Sequence, residues 1–283
     1  MKTASLASQE QISQQDYESI RDFLQQSCGI VLGDNKHYLV SSRLGRLLKE
    51  QGLSSLSELA ARLREDSDPQ LQAWVIDAMT TNETSWFRDG YPFEILRNII
   101  LPELVAEGAR NPRIWSAACA TGQEPYSISI VIEEFLRNRA GVLPGIQVLG
   151  TDISPRVLED AQSARFDEMA MRRGISGPLR ERYFEKEGEI WRLKQIVRDR
   201  VVFKQVNLLQ SFSHLGKFDC IFCRNVLIYF SSSVKKDILE RLTESLRPRG
   251  YLFLGGSESL ANYSDRFETV RGPSGHVYRL KEC

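Results

Sequence analysis

Four stretches near the start of the chain, "QDYESIRDFLQQSCG", "HYLVSSRLGRLLKEQG", "SSLSELAARLRE" and "DPQLQAWVIDAMT", repeat apolar residues every three to four positions. That period predicts four amphipathic helices, punctuated by Gly29, Gly52 and Pro69. Residues 1–79 are therefore expected to form a small all-helical domain. A polar stretch carrying aromatics, "TTNETSWFRDG" (80–90), follows as a joint, and beyond it, over 91–283, the pattern changes.

In that remainder short apolar runs alternate with helical ones. Strands are expected at "RIWSA", "IQVLGTDI", "VVFKQVNLL", "FDCIFCRN" and "GYLFLGG", with helices near 125–139, 155–164 and 232–247. "FETVR" and "HVYRL" flank the turn "GPSG" and form a hairpin pattern. The alternation implies an α/β fold: a doubly wound, mostly parallel sheet with helices on both faces and an antiparallel hairpin at one edge. Residues 166–200 interrupt it. They are highly charged, too long for a plain connection, and carry strand-like pieces around "EIWRL" and "QIVRD", so a small β insertion is expected.

Composition narrows the picture only slightly. The 283 residues are 42% hydrophobic and 26% charged, as in an ordinary soluble protein of one or two domains, and 37 basic residues balance 37 acidic ones. No basic excess argues for nucleic acid as a partner. The N-terminus lacks the apolar stretch of a leader and no window approaches ~18 apolar residues, so a cytoplasmic protein is expected. Of the five cysteines, Cys220 and Cys223 form a CxxC inside an apolar strand with no second pair; buried strand thiols are expected, and no metal. No large apolar stripe is left over, and a monomer is expected.

The chemistry lies where strands end, because ligands of doubly wound sheets bind at the carboxyl ends of central strands. The first strand runs into "ACATGQEPYS", a turn of small residues leading into a helix. It matches neither G-x-G-x-x-G nor a P-loop, since Gly122 stands alone. Glu124 beside the helix start would repel a phosphate. It reads either as part of a capping box with Thr121, or as the cap itself before Pro125, or as a ligand for positive charge. Asp152 ends the second strand, where an acid suits two ribose hydroxyls or caps the next helix, a task Ser154 could also perform. Asn207 ends the third strand, able to meet an adenine edge or close a turn. Arg224 and Asn225 end the fourth and need partners. An acid at the first helix, an acid for a ribose, polar groups for adenine and no cradle for phosphate suit S-adenosylmethionine, a nucleoside with a sulfonium and an ammonium.

Together "TTNETSWFR", "IWSAACATGQEPYSI", "GTDIS", "VNLL" and "FDCIFCRNVLIYF" resemble the chemotaxis receptor glutamate O-methyltransferase family, the CheR type, from about residue 15 to the C-terminus. The resemblance implies a class I S-adenosylmethionine-dependent methyltransferase domain with a β subdomain, preceded by a helical receptor-docking domain. It implies cofactor contacts from Asn82, Thr84, Arg88, Glu124, Asp152, Asn207, Leu208, Arg224 and Asn225, with Arg88 and Tyr229 near the transferred methyl. S-adenosylhomocysteine would be the product. Trp86 stands where the family more often has Phe, a change expected to be tolerated.

The same resemblance implies glutamate methyl esters on the helical methylation region of chemoreceptors, made for adaptation at membrane-bound receptor arrays, and leaves room for a regulatory partner. Lys36, Arg43, Arg46 and Lys49, with no acid between them, form either a solvated helix face or a basic docking face for that acidic substrate. "FEKEGEIW" lacks a glycine-rich expansion, so tethering of a receptor's C-terminal peptide is not expected. Two rivals fit less well. A nucleic-acid amino-methyltransferase is expected to carry N-P-P-Y where this chain has "RNVLIY", and a non-catalytic cofactor-binding module should lose Arg88 or Tyr229, both present.

Overall fold

Helices α1 (Gln14–Cys28), α2 (His37–Gln51), α3 (Leu56–Arg64) and α4 (Pro69–Met79) build the first of two units, Met1–Thr81 and Asn82–Cys283. The computed structural model describes residues 12–65, 68–137, 139 and 141–282; residues 1–11, where most of the N-terminal reading falls, lie outside them. Ser13 and Ser55 cap α1 and α3 by accepting the N–H of Asp16 and Glu58, and Gly29 and Gly52 close α1 and α2 at φ +77° and +64°. The apolar faces meet through Tyr17, Ile20, Leu24, Val40, Leu44, Leu59 and Val75, all buried. Asp16 is nearly buried among them. Its Oδ2 accepts the hydroxyls of Ser57 (2.6 Å) and Ser13 (2.7 Å), which ties the start of α1 to α3.

The second unit begins with a continuous helical run: α5 (Tyr91–Ile95), a π-helical turn (Leu96–Ile100) and α6 (Leu101–Ala106). Then come β1 (Arg113–Ala117), α7 (Gln123–Leu136), β2 (Gln147–Asp152) and α8 (Pro155–Ser163). The insertion carries β3 (Arg165–Asp167), α9 (Glu168–Met171), α10 (Gly177–Tyr183), β4 (Phe184–Glu187), β5 (Ile190–Leu193) and α11 (Gln195–Arg198). Next follow β6 (Val201–Gln205), β7 (Phe218–Cys223), α12 (Ser232–Ser245), β8 (Leu246–Leu254), β9 (Phe267–Arg271) and β10 (His276–Leu280).

Seven strands form one sheet in the order β6-β2-β1-β7-β8-β10-β9, with β10 antiparallel to β8 and β9 and every other pairing parallel. Period-two alternation sends Ile114, Cys220, Phe222 and Phe253 toward α5, α6 and α7, and Trp115, Ile221, Cys223 and Leu252 toward α12. Both faces are thus covered, as a doubly wound sheet requires. Cys220 and Cys223 consequently leave the strand on opposite faces and cannot share a metal ion. Burial pushes both thiols well up from their ordinary range.

The insertion is a three-stranded sheet ordered β3-β5-β4, packed on Trp86 and Tyr126 through Phe166 and Phe184. The second expected strand there, around "QIVRD", is instead the helical turn α11. β5 is already bordered on both sides, and Val197 is buried with its carbonyl accepting the Ser129 hydroxyl at 2.8 Å.

Candidate functional site

Strand order reverses between β1 and β7, so their carboxyl ends open a crevice at the switch point of the sheet. The turn leaving β1 is wound tightly. Ala118 and Ala120 sit at φ +56° and +48° and Gly122 at +91°, where a Cβ on Gly122 would lie 2.9 Å from Cβ of Ala161. Three of its N–H groups are used internally: Cys119 donates to the Thr151 carbonyl (2.8 Å), Ala120 to Asp152 Oδ2 (2.9 Å) and Gly122 to the Cys119 carbonyl (3.1 Å).

Glu124 belongs to neither capping scheme. Gly122 is the N-cap of α7, which puts Pro125 at the third helical position rather than the first. Thr121 donates instead to Gln123 Oε1. The Glu124 carboxylate turns toward the sheet, where Oε1 accepts the Ser116 hydroxyl and Oε2 accepts Arg224 Nη1, each at 2.8 Å. Asp152 is buried at the end of β2 and takes the N–H groups of Ala120 and Ser154, while Ser154 itself caps α8. Burial first, and then the charges of Asp152 and Glu124, push the Cys119 thiol well above its ordinary range. Two carboxylates therefore set a negative potential at this turn.

The end of β6 joins the same place, because Val206 donates to the Asp152 carbonyl at 2.9 Å and Asn207 follows it. Asn207 Oδ1 accepts the N–H of Leu209, and Arg241 holds the Leu208 carbonyl at 2.7 Å.

Arg224 closes the crevice from β7. Its side chain is 1% exposed and serves three acceptors: Glu124, Asp89 Oδ2 (2.5 Å) and the Arg88 carbonyl (2.9 Å). The joint is thus fastened to the strand ends, assisted by Trp86 N–H to the Arg173 carbonyl and Phe87 N–H to the Ser127 hydroxyl. Arg88 itself pairs with neither nearby acid. It donates to the Glu83 carbonyl at 3.2 Å, while the Glu83 carboxylate goes to Arg173 and that of Asp89 to Arg224. Asn82 and Thr84 are half-buried in the same joint. Trp86 is buried among Phe166, Phe184 and Tyr126, with Nε1 lacking a hydrogen-bond partner among the described residues.

Asn225 follows Arg224 at φ +58°, and Tyr229 lies half-buried in the helical turn Leu227–Tyr229. Left-handed residues concentrate here: Phe87, Asp89, Ala118, Ala120 and Asn225 all border the crevice. Sequence reasoning missed three contributors: Ser116, Asp89 and Glu258. Only the acid in "GGSES" after the fifth strand pattern hinted at Glu258, which accepts the N–H groups of Asn225 and Gly255.

In the helical unit Lys36, Arg46 and Lys49 are exposed on or beside α2, with Arg46 paired to Glu50 at 2.7 Å. Arg43 differs. Its guanidinium binds the carbonyls of Met79 and Thr80 and the Thr81 hydroxyl, so it secures the end of α4.

The family model described as the CheR methyltransferase SAM-binding domain matches residues 82–276, and the CheR methyltransferase all-alpha domain matches 15–80. The chain is 51% identical over 269 residues to chemotaxis protein methyltransferase 1 of Pseudomonas aeruginosa, spanning 94% of this chain and 98% of that one. It is 49% identical to chemotaxis protein methyltransferase Cher2 of Pseudomonas putida over the same shares. To chemotaxis protein methyltransferase 1 of Vibrio cholerae it is 47% identical, over 95% of this chain and 98% of the relative.

Proposed function

The chain belongs to the CheR methyltransferase family, S-adenosylmethionine-dependent methyltransferases that act on chemoreceptors, and on that premise we propose that it esterifies glutamate side chains of those receptors. One observation carries the cofactor assignment. Three N–H groups of the turn after β1 are taken up by the Thr151 and Cys119 carbonyls and by Asp152, and the turn stands between two carboxylates. A phosphate would find few donors and a repulsive field; a nucleoside bearing positive charge finds the reverse.

The residues present fit such a cofactor. Glu124 keeps unused lone pairs on both oxygens, able to accept an ammonium without releasing Ser116 or Arg224. Asp152, held by the N–H groups of Ala120 and Ser154, is the acid for the ribose hydroxyls. Asn207 and Leu208, held beside Asp152, border the place for a base, with Asn82, Thr84 and Asn225 completing the wall. When bound, S-adenosylmethionine supplies an electrophilic methyl on a positively charged sulfur.

A glutamate side chain has a reference pKa of about 4.3 and is already a carboxylate at neutral pH, so the reaction asks for no general base and no metal-activated nucleophile. Arg88, which among the described residues donates to one carbonyl, turns its remaining donors to the incoming carboxylate and orients it. Tyr229 sets the angle of approach. Excluding water favours the step, because a carboxylate and a sulfonium cancel as they react.

The exposed cations Lys36, Arg46 and Lys49 form the docking face for an acidic receptor helix, which brings the protein to membrane-bound arrays. No described helix is long and apolar enough to cross a membrane. The test is transfer of label from S-adenosylmethionine to chemoreceptor-bearing membranes: label is expected on receptors and should vanish when their methylation-region glutamates are replaced by alanine. Label retained after that replacement contradicts the acceptor assignment.

A further inference from the structure

We propose that Glu258 is a positioning residue of the methyl-transfer site, fixing the Arg224–Tyr229 loop through its backbone; the inference rests on the methyltransferase reading above. Oε2 accepts the N–H of Asn225 at 2.8 Å and that of Gly255 at 2.7 Å, and Oε1 accepts that of Ile228 at 3.3 Å. The carboxylate thereby ties the end of β7 to the end of β8 and reaches the residue before Tyr229.

The arrangement is interlocked. Asn225 holds a left-handed conformation, φ +58°, that a residue with a Cβ adopts only when its surroundings enforce it. A Cβ on Gly255 would stand 2.7 Å from Glu258 Oε2 and 2.8 Å from Asn225 Nδ2, so the carboxylate sits where only glycine lets it. The Glu258 N–H returns to the Gly255 carbonyl at 2.9 Å, which fixes the acid's own backbone. Among the described residues no Lys or Arg forms an ion pair with Glu258, and its hydrogen bonds are to main-chain donors. An anion engaged by three N–H groups is a stronger clamp than a neutral acceptor, and the segment it clamps carries Arg224 at one end and Tyr229 at the other.

The test compares Glu258→Gln, Glu258→Asp and Gly255→Ala in the full chain. S-adenosylhomocysteine affinity is measured by calorimetry and kcat and KM with receptor membranes. Glu258→Gln, which keeps the shape but only one acceptor oxygen, is expected to lower kcat about tenfold or more and weaken the cofactor product, leaving receptor KM unchanged. Glu258→Asp should recover part of that loss because it restores the charge. Gly255→Ala, which displaces the carboxylate without removing it, should reproduce the glutamine kinetics.

If wild type binds and turns over while Glu258→Gln matches it within twofold, the positioning role is overturned. It is equally overturned if lost activity only tracks lost folded protein by near-ultraviolet circular dichroism with kcat per folded molecule unchanged. Failure of the wild type itself to bind S-adenosylhomocysteine would remove the methyltransferase reading, and this inference with it.

Discussion

Arg224 Nη1 lies 2.8 Å from Glu124 Oε2, joining the end of β7 to the first turn of α7 across the switch point of the sheet. Because the same guanidinium also holds Asp89 and the Arg88 carbonyl, three separate segments of the site depend on one buried fork. Three of its five N–H donors are engaged in this way, and its Nε has no partner among the described residues.

Arg224→Ala should therefore lower stability by about 3 kcal/mol, since it leaves Glu124 without its cation in a mostly buried place. Arg224→Lys restores the charge but cannot reach three acceptors in a planar fan. Denaturant unfolding is expected to show partial recovery of stability in the lysine variant, and calorimetry little recovery of cofactor affinity.

Arg88→Ala should behave differently. Among the described residues the side chain makes one hydrogen bond, to the Glu83 carbonyl, so the thermal midpoint should stay within a degree or two while the methylation rate falls about tenfold or more. A variant that binds cofactor normally and turns over at the wild-type rate would remove Arg88 from the mechanism.

Gly122→Ala introduces a Cβ 2.9 Å from Cβ of Ala161 at a φ of +91°. The cost is about 1–3 kcal/mol, and the turn that places Ala120 against Asp152 must shift to accommodate it. S-adenosylhomocysteine titration should register the shift as weaker binding, whereas substitution at the exposed Gly141, whose Cβ would meet nothing, should leave binding alone.

Asp16 offers a pH test in the helical unit. The hydroxyl of Ser57, then that of Ser13, and further the charge of Arg64 hold its carboxyl below the usual value of 3.8 despite burial. A depressed folded-state pKa gives stability that is present above 3.8 and is lost as pH falls through the lower, folded value. Asp16→Asn should cost about 1–2 kcal/mol at pH 7, and the gap to wild type should narrow below about pH 4 in melts of the full chain.

Much of the fold was legible because burial imposes period. The runs "RIWSA", "FDCIFC" and "GYLFL" sit in β1, β7 and β8, covered on both faces, and the four helical stripes became α1 to α4. "QIVRD" misled because its local alternation says nothing about whether a neighbouring strand has a free edge. In the site, Glu124, Asp152 and Arg224 stood out as charged residues closing apolar runs. Their partners did not: Asp89 meets Arg224 across 135 positions, and Glu258 clamps Asn225 from a polar loop with no periodicity. Arg43 looked like one cation of a basic stripe, and only the structure shows its donors turned to the carbonyls of Met79 and Thr80.

The central claim is the ester. Chemoreceptor-bearing membranes labelled from methyl-tritiated S-adenosylmethionine by this protein should release their label as volatile methanol under mild base, because a glutamate methyl ester hydrolyses there. Label that stays on the receptor through the same treatment would mark an amine or amide product and contradict the account.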